Sequence, residues 1–439
     1  MTQQQQITYL SPFITLVILF FFVGFLTTAN GQFQGPLKAV FLSNAGDLKN
    51  TFATLISFAW FMAYPLTGGI GSAWVTKYGY KRTLIQALFI LIIGLGIFWL
   101  SSVYTVKFPD SHFLIASAVI HWGYVIFLLG SYVVGAAATI LQVVINPYLT
   151  ACDVKNTQPV QRLNIGGSAN SVGTTLAPFF VTGIVFGGLS MEEVEISQIQ
   201  ISFLVLMAVF AFVTLILTRM KLPDIEGTKA EAGEKLEKSV WSFSHLTLGV
   251  IAIFFYVGVE VCVGANINLY AIELEKLGHK FFFLGMDALT IGGIDFAIPA
   301  LMATLYWGGM LVGRLISSSL NRISPRTQLA FAAVFAGLST LMAIAFDNPW
   351  FLVIVGFFHS VMWGSIFTLS VNKLGKYTSV ASGVFMIGVI GGSLLPLFQG
   401  MFADAMGGVW RWTWIIVIIG EIYILYYALL GSHVKQSAE

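Results

Sequence analysis

Two carboxylates, a scatter of side-chain amides and one histidine stand inside stretches of chain that are otherwise apolar. Glu260 lies in the run Phe254-Phe-Tyr-Val-Gly-Val-Glu-Val-Cys-Val-Gly264, and Glu421 in Ile415-Ile-Val-Ile-Ile-Gly-Glu-Ile-Tyr-Ile-Leu425. An ionised carboxylate in hydrocarbon costs roughly 3 kcal/mol on insertion scales, so each needs a partner, a proton or water. Glu260 sits one helical turn from Tyr256 and Gly264, where a small residue leaves room for an ion or a hydroxyl. That makes Glu260 the candidate ion-coupling group. The same-face neighbours of Glu421 are Val417, Ile418 and Leu425. With no polar company, Glu421 is expected to be a protonated or snorkelling bystander.

Side-chain amides both donate and accept hydrogen bonds, which suits a ligand rich in hydroxyls. The first half of the chain offers Asn30, Gln34, Gln142, Asn146 and Asn170, and the second offers Asn266, Asn268 and Asn372. Gln142 and Asn146 are four apart and share a helix face, as do Asn30 and Gln34 if the helix runs through Gly31. His359 and Trp363 repeat that spacing. An indole offers a flat apolar face for stacking while its N–H reaches a hydroxyl, and an imidazole can titrate near neutrality. The candidate set for binding such a ligand is therefore Asn30, Gln34, Gln142, Asn146, Asn170, Asn266, His359 and Trp363. The competing use of each amide is an interhelical hydrogen bond, worth about 0.6 to 2 kcal/mol. Asn146 also precedes Pro147 and can serve backbone groups freed by a kink there.

The elements that must position these residues are helices of membrane length. Twelve apolar stretches fall at about 8–30, 50–75, 83–104, 123–151, 164–187, 200–219, 246–272, 296–320, 328–346, 350–372, 380–401 and 413–432. About 20 residues at 1.5 Å rise cross a hydrocarbon core of roughly 30 Å. The composition agrees: 57% of the residues are hydrophobic and 10% charged, against about 25% charged in soluble domains. The segment Gly173-Thr-Thr-Leu-Ala-Pro-Phe-Phe180 returns as Gly391-Gly-Ser-Leu-Leu-Pro-Leu-Phe398, in the fifth stretch of each set of six. The predicted fold is thus all-α integral membrane, with two pseudo-symmetric six-helix bundles at 1–218 and 245–439. Residues 219–244, with five basic and five acidic side chains, form a solvated linker between them. Small-residue pairs, Gly167 with Ser171 and Gly388 with Gly392, would let the fifth and eleventh helices pack closely and rock, as repeat-built transporters do.

Of the 22 Lys and Arg, six fall in loops on one side: Lys38, Lys49, Lys107, Lys276, Lys280 and Arg411. The positive-inside rule therefore puts both termini in the cytoplasm. A first apolar stretch of this length is a retained helix and not a cleaved signal. A net charge of +2 with no large basic cluster argues against a nucleic-acid partner. Cys152 and Cys262 fall in different halves, so neither a disulfide framework nor a metal-ligand pattern is expected. No phosphate-cradling loop or nucleophile with a paired base points to an enzyme, and no charge ring or re-entrant filter to a channel. No cofactor is expected beyond a coupling proton or sodium ion.

Several segments carry a more specific likeness. The stretch Ser72-Ala-Trp-Val-Thr-Lys-Tyr-Gly-Tyr-Lys-Arg82 and its counterpart Ser317–Thr327 resemble the loop motif of the major facilitator superfamily, with Thr76 and Asn321 where that motif has Asp. Gln142-Val-Val-Ile-Asn-Pro-Tyr148, Arg162-Leu-Asn164 with Asn170-Ser-Val-Gly173, the Glu260 run, Tyr306-Trp-Gly-Gly-Met-Leu-Val-Gly-Arg314 and Gly383–Gly392 resemble its fucose/galactose/glucose symporter family, the glucose/galactose branch above all. The resemblance implies a monomeric secondary transporter of a monosaccharide, proton- or sodium-coupled, in the bacterial inner membrane. It also marks two departures. Asn30-Gly31 stands where the family has Asn-Asp, and Gln142 where the fucose branch has Glu. Proton coupling through those two acids is not implied here. An uncoupled facilitator, or a membrane sugar sensor that does not transport, is the alternative reading.

Overall fold

In hydrocarbon an apolar run satisfies its own backbone only as a helix or in a closed barrel, and helices dominate this chain. The computed structural model describes residues 10–42, 45–115, 118–152, 154, 155, 157, 159–186, 195–222, 237–291, 294–318 and 323–435. Among these, ten helices are long and apolar enough to cross a membrane. One of them, Gly46–Lys107, is two spans meeting at Gly79, whose φ of 77° breaks the helix in a conformation that favours glycine. The more polar helix Pro159–Phe179, continued by a π-turn over Phe180–Val185, is the remaining span. The twelve spans are therefore Leu10–Phe41, the two parts of Gly46–Lys107, Trp122–Leu149, Pro159–Val185, Ile196–Arg219, Ser244–Lys276, Ile298–Ser317, Pro325–Phe346, Trp350–Ser370, Val380–Ala405 and Arg411–Gly431.

Local signals account for several ends. The His121 ring caps the fourth span by accepting from Gly123 N at 2.8 Å. Ser324 caps the ninth, where Pro325 needs no hydrogen-bond partner in the first turn. Two short antiparallel hairpins, His112–Ile115 with Ala118–His121 and Ala288–Ile291 with Ile294–Ala297, were not expected from the apolar pattern. Both join spans at the same end of the molecule.

Each bundle has its own aromatic packing. Phe98 joins Phe127 at 4.4 Å and Phe203 at 4.9 Å in the first, tying the third, fourth and sixth spans. In the second, Tyr270 meets Trp414 at 5.7 Å and Phe255 meets Tyr423 at 4.9 Å, tying the seventh span to the twelfth. The sixth span turns Ile201, Val205, Phe212 and Leu215 outward, as a lipid-facing helix must. Cys152 and Cys262 are both free and buried.

The bundles meet tightly at the end that carries the hairpins. There Asp404, at the close of the eleventh span, accepts four hydrogen bonds from the N-terminus of the second: Asn50 N and Nδ2, Thr51 N and Oγ1, at 2.6 to 3.3 Å. An acid at a helix N-terminus meets both orphan donors and the positive end of the dipole. Lys38 donates to Asn50 Oδ1 at 2.5 Å, and Gln32 Nε2 reaches the Gly264 carbonyl across the bundles at 3.3 Å. Of the two small-residue pairs, Gly388 packs on the Val250 carbonyl and Gly392 on the Phe61 ring, whereas Gly167 faces open space. The loop residue Thr76 donates back to Ser72 O of its own helix at 3.1 Å. Asn321, and linker residues 223–236, lie outside the described residues.

Candidate functional site

Between the bundles lies a cavity of about 450 Å³, within the range of about 300–1,000 Å³ typical of small-molecule sites. It runs from the midplane toward the end opposite Asp404, where Leu163, Ser317, Ile323, Pro325 and Gln328 line it. Five of the residues singled out by type and spacing line it together: Gln142, Asn146, Asn170, Glu260 and Trp363. Gln142 and Asn146 do share a face of the fourth span, and Gln142 Nε2 donates to the Tyr64 hydroxyl at 2.6 Å. Asn170 Nδ2 donates to Phe20 O at 2.9 Å, which leaves its carbonyl oxygen for another partner.

Four other candidates sit elsewhere. Asn30 donates to Ile56 O at 3.3 Å and accepts from Ser131 Oγ at 2.8 Å, and Gln34 donates to Ser57 Oγ at 2.5 Å. Both therefore fasten the first span to the second, the interhelical use of an amide in a membrane. Asn266 is buried and donates to Gln399 Oε1 at 2.9 Å, joining the seventh and eleventh spans. His359 points away from the cavity. The helix assignment of the tenth span is interrupted at Ser360–Val361, between Trp350–His359 and Met362–Ser370, but both residues keep helical backbone angles. The His359 and Trp363 rings both flank Tyr256, at 6.0 and 6.5 Å between centroids, and of the two Trp363 lines the cavity. His359 Nε2 lies 2.7 Å from Glu421 Oε1, and Nδ1 lies 2.7 Å from the Tyr306 hydroxyl. Glu421 is thus no bystander in apolar company, because its partner comes from a different helix.

Other lining residues carry chemistry that spacing alone did not assign. Trp307 fills the space beside Gly264, where a Cβ would overlap its indole; the glycine makes room for a ring and not for an ion. Among the described residues, Trp307 Nε1 and Thr28 Oγ1 are buried without a hydrogen-bond partner, and both residues border the cavity, where the Tyr256 hydroxyl stands beside Glu260 and Arg314. A buried polar atom without a partner costs about 1–3 kcal/mol, so hydroxyls of a ligand would be welcome there. Arg314 also lines the cavity and crosses to the other bundle, donating to Gly167 O at 3.1 Å and Ser171 Oγ at 2.5 Å. Its Nε donates to Ser360 O at 3.3 Å, at the interruption in the tenth span. The signal for it was present in the sequence: Arg314 is the basic residue set well inside an apolar stretch. Among the described residues, no group of three or more His, Cys, Asp or Glu could hold a metal ion.

Twelve spans in two bundles around a midplane cavity define a polytopic membrane protein of the transporter type. Residues 20–394 match the Major Facilitator Superfamily, and the chain belongs to that family. It is 31% identical over 424 residues to the "Glucose/galactose transporter" of Brucella abortus biovar 1 (strain 9-941), covering 95% of this chain and 93% of the relative. To the "L-fucose-proton symporter" of Escherichia coli (strain K12) it is 23% identical, covering 92% and 90%. The solved structure of the major facilitator transporter FucP in the outward conformation has the same fold, with a TM-score of 0.70 at 21% identity over 97% of this chain and all of that one.

Proposed function

We propose that the protein imports a hexose, glucose or galactose first, across a bacterial inner membrane by alternating access. The observation that carries this reading is the cavity: three amides on one wall, and two indoles, a carboxylate and an arginine on the other. Amides and indole N–H groups match the alternating donors and acceptors of sugar hydroxyls, and indole faces match the apolar C–H surface. The names of the similar proteins point the same way. One copy of the chain holds the whole cavity, so the monomer is the transporting unit. With both termini cytoplasmic, the Asp404 contact closes the outer end and the cavity faces inward. The bundles at 1–218 and 245–439 would rock about this site, with 219–244 as the tether between them.

Coupling is assigned to Glu260. It is the carboxylate on the cavity wall, and it shares that wall with Arg314, whose charge is opposite. Ionisable side chains inside membrane spans mark ion and proton pathways.

Initial-rate uptake of labelled glucose into proteoliposomes tests the reading, with an inward proton gradient, an inward sodium gradient, or neither. Accumulation with one ion alone is the expected result. Saturable equilibration indifferent to both ions would make the protein a facilitator and remove the coupling role. Absence of saturable flux for glucose, galactose, mannose, N-acetylglucosamine and fucose would reject sugar transport.

A further inference from the structure

His359, Glu421 and Tyr306 form a chain of three hydrogen-bonding groups behind the cavity wall, and their geometry constrains how many protons they hold. The Tyr306 hydroxyl is 3.2 Å from the backbone carbonyl of Glu260, 2.7 Å from His359 Nδ1, and His359 Nε2 is 2.7 Å from Glu421 Oε1. The His359 and Glu421 side chains are 0% and 2% exposed. A carbonyl oxygen only accepts, so the Tyr306 hydrogen is directed at Glu260 O. Nδ1 must then donate to the Tyr306 oxygen, and one further hydrogen must lie between Nε2 and Oε1. All three contacts are satisfied at once only if the imidazole and carboxyl together hold one proton more than a neutral histidine beside a carboxylate.

Losing that proton has a defined structural consequence. Nδ1 becomes an acceptor, Nε2–H donates to the Glu421 carboxylate, and the Tyr306 hydroxyl turns from Glu260 O to Nδ1. Loading reverses this: a hydronium ion gives up one proton and becomes water, breaking one O–H bond, and one N–H or O–H bond forms within the pair. Among the described residues, Glu421 Oε2 has no hydrogen-bond partner. The titratable or charged groups facing the chain are Tyr256, Glu260 and Cys262 from the seventh span and Arg314 from the eighth. From the ninth span, Gly337 meets the Glu421 side chain. The Tyr256 ring, 6.0 Å from the His359 ring between centroids, stands between the chain and the cavity.

We propose that His359, Glu421 and Tyr306 form a proton-binding site separate from the sugar cavity, and that its occupancy is passed to the seventh span through the carbonyl of Glu260. The site stands in the second bundle, behind the cavity wall that carries Glu260. This inference rests on the transport reading for its role in coupling, but the proton site itself can be tested without sugar.

The test compares wild type, Glu421→Gln and Tyr306→Phe, each first checked for monodispersity and thermal stability in detergent. Infrared difference spectra over a pH titration, without sugar, read protonation directly. The expected result is a titrating carboxyl band that Glu421→Gln removes and Tyr306→Phe shifts. In proteoliposomes, Glu421→Gln should keep sugar counterflow within about twofold and lose proton-driven accumulation by about tenfold or more. If Glu421→Gln does not fold, Tyr306→Phe alone must flatten the pH profile of accumulation while preserving counterflow. A titrating band unchanged in Glu421→Gln would overturn the proton site, whatever the flux. Unaltered proton-driven accumulation in a folded variant would overturn its coupling role. Wild type that binds the proton yet moves no sugar would instead sink the transport reading and leave the site standing.

Discussion

The two walls of the cavity are built on the same helical scaffold yet differ in kind. The first bundle contributes Gln142, Asn146, Asn170, Thr28 and Tyr64, all neutral, and among the described residues no charged side chain. The second contributes Glu260 and Arg314, two indoles, and behind them the His359–Glu421 pair. A pseudo-symmetric duplication has thus been divided into one wall that offers neutral hydrogen bonds and one that holds charge. Neutral amides cost little to bury when paired, whereas each charge requires a dedicated partner. Gathering the charges in one bundle lets them partner one another, and frees the opposite wall to be shaped for hydroxyls.

The largest expected effect comes from breaking the charged wall. Glu260→Gln should abolish gradient-driven accumulation, by about a hundredfold or more, while counterflow of labelled sugar persists, because exchange needs no net ion movement. Loss of both would mean Glu260 binds sugar, and loss of neither would remove it from the mechanism. Next is the amide wall. Gln142→Ala should raise the KM for sugar about tenfold without altering the dependence on ion gradient, since a neutral hydrogen bond of about 1–1.5 kcal/mol carries no charge information. An altered ion dependence would erase the division between the walls.

Smaller effects sharpen it. Trp307→Phe keeps the ring but removes a donor that has no protein partner, so affinity should fall by about two- to fivefold, read by sugar binding at equilibrium. No change would place the indole N–H outside the sugar site. Asn30→Ala should leave KM and coupling as they are and lower thermal stability in detergent, by about 1–2 kcal/mol for the lost ties to Ile56 and Ser131. A large rise in KM would put Asn30 back into the binding wall.

Much of this architecture was legible in the chain. Span lengths, the repeated Gly…Pro…Phe segment and the scarcity of acids follow from the cost of polar groups in hydrocarbon, which leaves its mark residue by residue. Where a helix stayed regular, spacing also worked: Gln142 and Asn146 face the cavity together. Spacing did not say which neighbours a face would meet. The His359 and Trp363 rings both flank Tyr256, yet Trp363 lines the cavity while His359 meets Glu421 and Tyr306 behind it.

By itself the sequence determined the twelve spans, the two-bundle plan, and the few side chains able to carry charge inside a membrane. Only the tertiary structure decided which of them meet. Helical periodicity fixes angles within one helix, but the rotation of each helix about its own axis is set by packing against neighbours that are distant in sequence. So Asn30 and Gln34 turned to the second span, Trp307 filled the notch at Gly264, and Glu421 found its partner in His359, 62 residues away.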